Sequence, residues 1–171
     1  SVYGNSENFP LSEDLRIDKP ISLYAATKIS NELMASCYSH LYGFESIGLR
    51  FFTVYGPWGR PDMALFKFTK GIIERTPIDI YNNGDMYRDF TYVEDLVNGI
   101  YKLINSVPGG SNTRVEEDSL SPVAPFRVVN IGNSEKIRLL DFIDAIEDEL
   151  QLKAIRRVMH PIVVVLVIRL L

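Results

Sequence analysis

A tyrosine and a lysine, Tyr24 and Lys28, stand four residues apart in the run SLYAATKISNELM. This run predicts a helix from about Ser22 to Tyr42, and residues four apart on a helix project from the same face. An ammonium group beside a phenol favours the deprotonated phenolate, so the two side chains could act together as an acid/base. The same spacing also describes an ordinary surface pair, so the motif taken alone is weak evidence for chemistry.

The elements that must position this pair alternate between strand and helix patterns. Residues 1–4 read as the end of a strand running into a turn, and residues 5–22 as a polar loop. Further strands are predicted at ESIGLRFF (45–52), PIDIY (77–81), DFTYV (89–93) and FRVVNIG (126–132). Further helices are predicted at 63–75, VEDLVNGIYKLIN (93–105) and LLDFIDAIEDEL (139–150), where Leu140, Ile143, Ile146 and Leu150 share one side. This alternation indicates an α/β fold with a mainly parallel sheet.

The helix that carries Tyr24 has apolar residues at helical spacing, which predicts the face that it buries. These residues are Ile29, Leu33, Cys37 and Leu41. Cys37 is accordingly interpreted as a small buried hydrophobe and not as a nucleophile. Gly43 is well placed to end the helix.

The composition argues against a nucleic-acid-binding, disulfide-bonded or metal-binding protein. The chain has 171 residues, of which 46% are hydrophobic, and a net charge of −4. The acidic balance argues against a nucleic-acid surface. A single cysteine cannot form an internal disulfide, which favours a reducing, cytoplasmic setting. The two histidines, His40 and His160, give no metal-ligand spacing, so no metal is predicted.

The two ends of the sequence are unlike each other. The chain opens with SVYGNSE, which lacks the basic and apolar regions of a signal peptide. Near the other end, Pro161 precedes the apolar run IVVVLVIRLL, interrupted by Arg169. This run is shorter than the roughly 20 residues that span a bilayer, so no membrane partner is expected. A buried strand or an aggregation-prone tail is the better interpretation.

Five motifs occur in order along the chain: SVYG, YAATK, RFFTVYGPWGRPDMA, YRDFTYVEDL and RVVNIGNS. Together they resemble the extended short-chain dehydrogenase/reductase family, and within it the nucleotide-sugar epimerases and dehydratases. The resemblance runs from Ser1 to about Ile155. The segment RFFTVYGPWGRPDMA is most similar to that of the UDP-glucuronate 4-epimerases. It implies a partial Rossmann-type parallel sheet with part of a small substrate-binding subdomain.

The resemblance implies a chemical role for the opening pair. Tyr24 would be the acid/base on the sugar 4-hydroxyl, and Lys28 would support its phenolate and hold the nicotinamide ribose of bound NAD. Transient oxidation at C4 and return of the hydride to the other face would invert that carbon, with the cofactor carrying the redox chemistry. Phe52 matches an aromatic beside the nicotinamide, although packing in the sheet core explains it equally well.

The resemblance also implies a set of nucleotide-sugar contacts. They are Ser1, Thr53, Arg60, Met63, Ala64, Ile80, Tyr81 and Arg88. The hydroxyl of Thr53 could donate to a carboxylate, which suits a uronic acid. Arg60 and Arg88 would bind the diphosphate, since a guanidinium can bond two oxygens at once; the alternative is that both are solvated surface arginines. Ile80 and Tyr81 would contact the uracil through their backbone.

Three acidic or hydroxyl positions refine this interpretation. Ser1 stands where related dehydratases and decarboxylases carry a glutamate that acts in their later step, and serine cannot replace that acid/base. Plain epimerisation is therefore favoured over elimination or decarboxylation. Asp89 and Asp95 are interpreted as structural carboxylates that anchor a loop and a helix start.

Parts of the family pattern are not found in these residues: the glycine-rich phosphate turn, the first strands and the catalytic serine or threonine. We therefore expect a fragment with three segments, namely 1–60 from the Rossmann domain, 61–155 mainly substrate-binding, and 156–171 an atypical tail. We expect it to bind NAD poorly and to have little or no activity alone. Two alternatives stay open, an epimerase of another UDP-hexose and a non-catalytic remnant. The family implies a homodimer through the Tyr24 helix.

Overall fold

The computed structural model of the chain describes residues 1–6, 9–106, 108 and 118–159. The helices are α1 (Leu23–Tyr42), α2 (Ala64–Ile73), α3 (Val93–Leu103) and α4 (Leu139–Leu150), with a short 3₁₀ turn at Asn82–Gly84. The strands are β1 (Ser46–Phe51), β2 (Thr53–Tyr55), β3 (Pro77–Tyr81), β4 (Tyr87–Arg88), β5 (Phe90–Tyr92), β6 (Phe126–Ile131), β7 (Ile137–Arg138) and β8 (Ile155–Met159). All four predicted helices are confirmed. The sequence did not predict β2, β4, β7 and β8. The first three have two or three residues each, too few to show an alternating pattern, and β8 has five residues, two of them arginines, at the start of the segment interpreted as a tail.

The strands of the described residues pair two by two. β1 with β6, β2 with β5, and β3 with β8 are parallel, whereas β4 with β7 is antiparallel. The predicted α/β class with mainly parallel pairing is therefore confirmed. Each parallel pair joins strands that are far apart in the sequence, as crossover connections require.

The chain forms two compact units, each built from two stretches of sequence. Unit 1 consists of Ser1–Phe52 and Glu94–Gly132, and unit 2 of Thr53–Val93 and of the residues from Asn133 onward. Unit 1 contains the β1–β6 pair, and unit 2 contains the other three pairs. The sequence placed boundaries after residues 60 and 155, between a Rossmann segment, a substrate-binding segment and a tail. The division into two units does not test these boundaries, which stay predictions.

The predicted buried face of α1 is wrong. Leu33, Cys37 and Leu41 are exposed, whereas Ala25 and Ser39 are buried on the side that packs against β1 and β6. Small side chains let a helix lie close to a strand pair, so the buried side is the small one and the large apolar residues point outward. The predicted end at Gly43 is confirmed, because this glycine has φ 69° and its N–H donates to Ser39 O at 2.9 Å.

Residues 2–5 form a turn, and the strand end predicted within residues 1–4 is not found there. The N–H of Gly4 donates to Ser1 O at 3.1 Å, which closes the turn. Gly4 has φ 59°, and a Cβ at this position would lie 2.8 Å from Lys19 O. A turn is favoured here because glycine adopts positive φ without strain and leaves room for the neighbouring loop.

Unit 2 contains a cluster of buried apolar residues from α2, β3 and α4. It consists of Phe68, Ile72, Ile78, Ile80, Leu139, Ile143 and Ile146. The predicted apolar side of α4 is confirmed: Ile143 and Ile146 are buried, and Leu140 and Leu150 are half-buried against the cluster. Burial of this face is what fixes α4 to the β3–β8 pair.

Strand β8 crosses the start of the segment predicted as an atypical tail. It pairs with β3 in the register Ile80↔Val158. The interpretation of IVVVLVIRLL and the metal argument for His160 both fall outside the described residues. Among the helices that are described, none has the length and apolar character needed to cross a membrane.

Candidate active site

The predicted proximity of Tyr24 and Lys28 is confirmed. Lys28 Nζ lies 5.4 Å from the centre of the Tyr24 ring, a distance at which an ammonium interacts with an aromatic face. Both side chains are exposed, with Tyr24 at 62%. A phenol hydroxyl and an ammonium are thus held together at an accessible surface of unit 1.

The start of α1 determines where the tyrosine stands. Ser22 has extended backbone angles, and its Oγ accepts a hydrogen bond from Ala25 N at 3.1 Å. Serine is one of the residue types preferred at the N-cap position, and its hydrogen bond to Ala25 fixes the backbone of the first helical turn. Tyr24 lies in that turn, and Thr27 Oγ1 donates to its carbonyl at 2.8 Å. The acid/base candidate therefore lies on a fixed backbone and not on a loop.

Two further predicted residues lie in unit 1. Ser1 is exposed and belongs to the closed turn, where its carbonyl accepts from Gly4. Phe52 follows β1 directly, is half-buried, and its N–H donates to Ile131 O at 3.3 Å. This hydrogen bond extends the β1–β6 ladder by one residue, so the backbone of Phe52 is as fixed as that of the strand.

Sequence reasoning did not find a buried ionic network in unit 1. Arg50 on β1 donates from Nε and Nη2 to both carboxylate oxygens of Glu32 on α1, at 3.0 and 2.6 Å. Arg50 Nη1 also donates to Tyr3 Oη at 2.8 Å, and Tyr3 donates to Asn130 Oδ1 at 2.5 Å. These residues are distant in the sequence, so no local pattern announces their contact. The available signal was an arginine inside the apolar strand ESIGLRFF.

In unit 2, the structure brings Thr53 and Arg88 to one end of the β2–β5 pair. Thr53 begins β2, is paired with Phe90, and its N–H donates to Asp89 O at 3.0 Å. Arg88 is exposed on β4 and donates from Nη1 to Tyr87 O at 2.8 Å. The backbone of Thr53 is thus bonded to the residue that follows Arg88, and a hydroxyl and a guanidinium are groups that can each bind an anionic ligand.

Asp89 has the structural role that the sequence predicted. Its two carboxylate oxygens accept from the backbone N–H groups of Asn133 and Ser134, at 2.8 and 2.9 Å. This carboxylate anchors the loop that follows β6. Asp95 lies in the first turn of α3, where a negative charge is favoured by the helix dipole.

The loop between β2 and α2 carries three more predicted contacts. Arg60 is exposed and donates from Nε to Asp62 Oδ1 at 3.0 Å, and from Nη2 to the other oxygen. These hydrogen bonds lower the pKa of Asp62. Met63 is the N-cap of α2, Ala64 is its first residue, and both are exposed. Both partners are exposed and screened by solvent, so this ion pair is weak and a ligand anion could displace Asp62 from Arg60.

Ile80 and Tyr81 end strand β3, and they differ in accessibility. The Ile80 side chain is 1% exposed in the apolar cluster, whereas Tyr81 is exposed. The side chain of Ile80 is therefore unavailable to a ligand, so a contact there would come from its backbone, as predicted.

The donor set in unit 1 suits the nicotinamide ribose that the sequence resemblance implies for Lys28. An exposed ammonium and an exposed phenol hydroxyl can both hydrogen-bond ribose hydroxyls. The substrate candidates of unit 2 add a hydroxyl and two guanidinium groups, the groups needed by a carboxylate and a diphosphate.

Two curated proteins are similar to this chain in sequence. The chain is 55% identical over 152 residues to Protein CapI of Staphylococcus aureus, covering 88% of this chain and 46% of that protein. It is 52% identical over 150 residues to a probable UDP-glucuronate 4-epimerase of Rhizobium meliloti (strain 1021), covering 86% and 44%. The chain thus spans about half the length of these curated relatives.

A solved structure supports the fold. The UDP-glucuronic acid 4-epimerase of Bacillus cereus, in complex with UDP-glucuronic acid and NAD, matches with a TM-score of 0.77 and 32% identity. The match covers 94% of this chain and 46% of that one. The family model for NAD-dependent epimerases and dehydratases matches residues 1–116. This chain therefore belongs to the NAD-dependent epimerase/dehydratase family.

Proposed function

We propose that this chain supplies the acid/base and the substrate contacts of an NAD-dependent epimerase that interconverts UDP-glucuronate and UDP-galacturonate at C4. The observation that carries the proposal is the 5.4 Å approach of Lys28 Nζ to the Tyr24 ring at the capped start of α1. The likeness to UDP-glucuronate 4-epimerases over nearly the whole chain supports the choice of substrate.

In this proposal each residue of unit 1 has a defined task. NAD, when bound, supplies reversible hydride acceptance at the sugar carbon. Tyr24 takes the proton from the 4-hydroxyl, holds it on its own oxygen and returns it to the sugar oxygen. Lys28 would stabilise the phenolate form by its positive charge and would donate to the ribose hydroxyls. Phe52 would provide an apolar surface for the nicotinamide.

The residues of unit 2 would recognise the sugar nucleotide. Thr53 would donate to the uronate carboxylate, and Arg88 would bind the diphosphate with Arg60, after Arg60 exchanges Asp62 for the ligand. Met63 and Ala64 would complete the contacts from unit 2, with backbone groups of Ile80 and Tyr81 against the uracil. Ser1, which belongs to unit 1, would be a further substrate contact. A carboxylate-specific contact distinguishes this substrate from a neutral UDP-hexose.

The substrate proposal can be tested in a chimaera, because the chain spans about half of its relatives. The segment of the Rhizobium meliloti protein that matches this chain is replaced by the aligned residues of this chain, and the intact relative is the positive control. UDP-glucuronate and UDP-glucose are assayed side by side by chromatography. We expect turnover of UDP-glucuronate to exceed that of UDP-glucose. Preference for UDP-glucose, or a folded chimaera without epimerase activity, would contradict the proposal.

The role of Tyr24 is tested in the same chimaera by Tyr24→Phe. Loss of the hydroxyl should lower kcat by about 100-fold or more, since general acid/base catalysis contributes on that scale, and should leave UDP-glucuronate binding nearly unchanged. Tyr38→Phe, on the same helix and also exposed, is the matched control and should keep full activity. Turnover retained by Tyr24→Phe would exclude this residue as the base.

We also propose that α1 pairs with a second copy of the chain. Its outward face carries large apolar side chains that are more than half exposed: Leu33, Met34, Tyr38, Leu41 and Tyr42. Such a contiguous apolar surface is typical of an interface. Leu41→Lys should shift the chain to monomer in analytical ultracentrifugation, whereas Ile104→Lys, exposed on another helix end, should not. A monomeric wild-type chain would contradict this assignment.

The cellular setting proposed for the protein is the cytoplasm. Its one cysteine, Cys37, is exposed and has no other cysteine to pair with in the sequence. An exposed thiol is compatible with a reducing compartment. Fractionation of cells that express the protein, followed by immunodetection, tests this placement.

A further inference from the structure

Arg50 is the most connected buried charge of unit 1. Its side chain is 8% exposed, and its guanidinium bonds Glu32, the hydroxyl of Tyr3 and, at 3.2 Å, the carbonyl of Glu13. Burial alone would lower the pKa of Arg50, but the hydrogen bonds with Glu32 and Tyr3 raise it, so the charge is kept. A buried arginine whose three guanidinium nitrogens all donate hydrogen bonds is held in one orientation.

The partner on α1 stands in line with the acid/base pair. Glu32 lies four residues after Lys28 and eight after Tyr24, so all three project from one side of the helix. The two-point hydrogen bond from Arg50 to Glu32 fixes both the rotation of α1 about its axis and its sliding along β1. If α1 rotated about its axis or slid along β1, the Tyr24 hydroxyl would move with the helix.

The other side of the network joins the segment that precedes α1. The Tyr3 hydroxyl accepts from Arg50 and donates to Asn130 Oδ1 on β6. Burial raises the pKa of the Tyr3 phenol against the opposing effect of Arg50, so the hydroxyl keeps the proton that it donates. Asn130 is itself held, because its N–H donates to Glu13 Oε1 at 2.7 Å and its Nδ2 to Leu11 O at 2.8 Å.

We propose that Arg50 is a positioning residue: through Glu32 it sets the place of Tyr24 and Lys28 relative to the β1–β6 pair, and through Tyr3 it braces the turn that begins at Ser1. The inference rests on the proposed function, because positioning matters only if Tyr24 acts on a substrate. Its geometric part can be tested without any activity.

A second ion pair in unit 1 provides a matched control. Arg127 on β6 donates from Nε and Nη2 to the two oxygens of Asp118, at 3.1 and 2.9 Å. Like the Arg50–Glu32 pair, this ion pair is bidentate and mostly buried. The Arg127 side chain is 23% exposed and the Asp118 side chain 12%. Neither of these residues lies on α1. A merely structural contribution should be similar for both arginines, whereas an effect on α1 should follow Arg50 alone.

The first experiment measures the position of α1 in the 171-residue chain. Spin labels are attached to Cys37, exposed on α1, and to a cysteine introduced by Lys102→Cys on α3, and their distance distribution is recorded by pulsed electron resonance. The labelled chain is diluted into an excess of unlabelled Cys37→Ser chain, so that only distances within one chain are measured. Arg50→Lys keeps the charge but loses the fork, and should shift or broaden the distribution. Arg127→Lys should give the wild-type distribution.

Glu32→Gln is measured in the same way, so that the test does not depend on the folding of Arg50→Lys. Wild-type distributions for the folded variants among Arg50→Lys and Glu32→Gln would overturn the proposal. So would an equal shift in Arg127→Lys.

The second experiment uses the chimaera described above. Arg50→Lys should lower kcat by about 10- to 100-fold, as expected for misplacement by about 1 Å, with a smaller change in KM. Arg127→Lys should leave both constants unchanged. If kcat and KM change alike in the two variants, Arg50 has no positioning role. A chimaera that is folded but inactive even with Arg50 present would count against the proposed function, and the distance measurement would still decide the geometry.

Discussion

The two units bury opposite charges, and they use them differently. Unit 1 buries a cation, Arg50, whose partners come from a helix, a turn and a loop that are remote in the sequence. Unit 2 buries a carboxylate, Glu147, whose partners Lys153, Ala154 and Arg156 follow within nine residues. The first arrangement ties separate segments to one point beside the candidate acid/base. The second closes the end of α4 onto the start of β8.

Apolar burial differs in the same sense. Unit 2 packs α2, β3 and α4 around a buried apolar cluster. In unit 1, α1 packs through small residues and directs its large apolar residues outward. Unit 1 also buries apolar residues, among them Leu96, Phe126 and Val128, so we infer that both units depend on packing and that unit 1 depends in addition on its polar network. Substitutions in each unit test this contrast.

The largest effect is expected for Ile143→Ala in unit 2. Ile143 is fully buried in the cluster, and removal of a buried isoleucine side chain costs about 4 kcal/mol, from lost burial and the cavity left behind. Urea unfolding measures the change. Ile104→Ala, where the residue is 62% exposed, is the control and should change the free energy of unfolding by less than about 0.5 kcal/mol. Comparable losses at the two positions would show that the cluster does not dominate.

An intermediate effect is expected for Glu32→Ala in unit 1. Removal of one partner leaves the buried Arg50 charge without its carboxylate, which costs about 3 kcal/mol. Asp62→Ala breaks the exposed pair with Arg60 and should lower the free energy of unfolding much less than Glu32→Ala, because solvent screens exposed charges. Hydrogen exchange read separately for β1 and β3 should place the loss from Glu32→Ala in unit 1. A loss in β3 alone would remove the contrast between the units.

The smallest effect is a dependence on pH that belongs to unit 2. Burial alone would raise the pKa of Glu147, but hydrogen bonds from Lys153, Arg156 and Ala154 outweigh it and lower the pKa from 4.5 to about 2. A carboxylate whose pKa is lower in the folded protein stabilises the fold at any pH above the pKa that it has in the unfolded chain. For Glu147 this stabilisation is lost as the pH falls from about 4.5 to about 2. With exposed Lys153 screened by solvent, the loss is on the order of 2 kcal/mol.

Unfolding of wild type and Glu147→Gln, compared across that range of pH, measures this term. The variant should be less stable near neutral pH and should lose less stability on acidification. Parallel curves for the two proteins would show that another group is responsible.

Sequence patterns predicted what depends on neighbouring residues. The range of α1, its cap at Gly43, the apolar side of α4 and the approach of Lys28 to Tyr24 all follow from spacing, and all are confirmed. The buried side of α1 was predicted wrongly. Apolar residues at helical spacing indicate an apolar helix face, but they do not show whether the rest of the chain packs against that face. The Arg50 network could not be predicted, since its contacts span 18 to 127 residues and depend on the fold that they help to hold.

The interleaving of the two units has a consequence for how the chain is made. β1 is complete at Phe51, but its partner β6 begins only at Phe126, and β3 must wait in the same way for β8. At a synthesis rate of about 5–20 residues per second, β1 emerges several seconds before the strand that pairs with it. During that interval β1 lacks this parallel partner, and an unpaired strand edge can pair with another chain. A product cut before Phe126 would retain β1 without its parallel partner, so neither unit can be isolated as a single uninterrupted stretch of sequence.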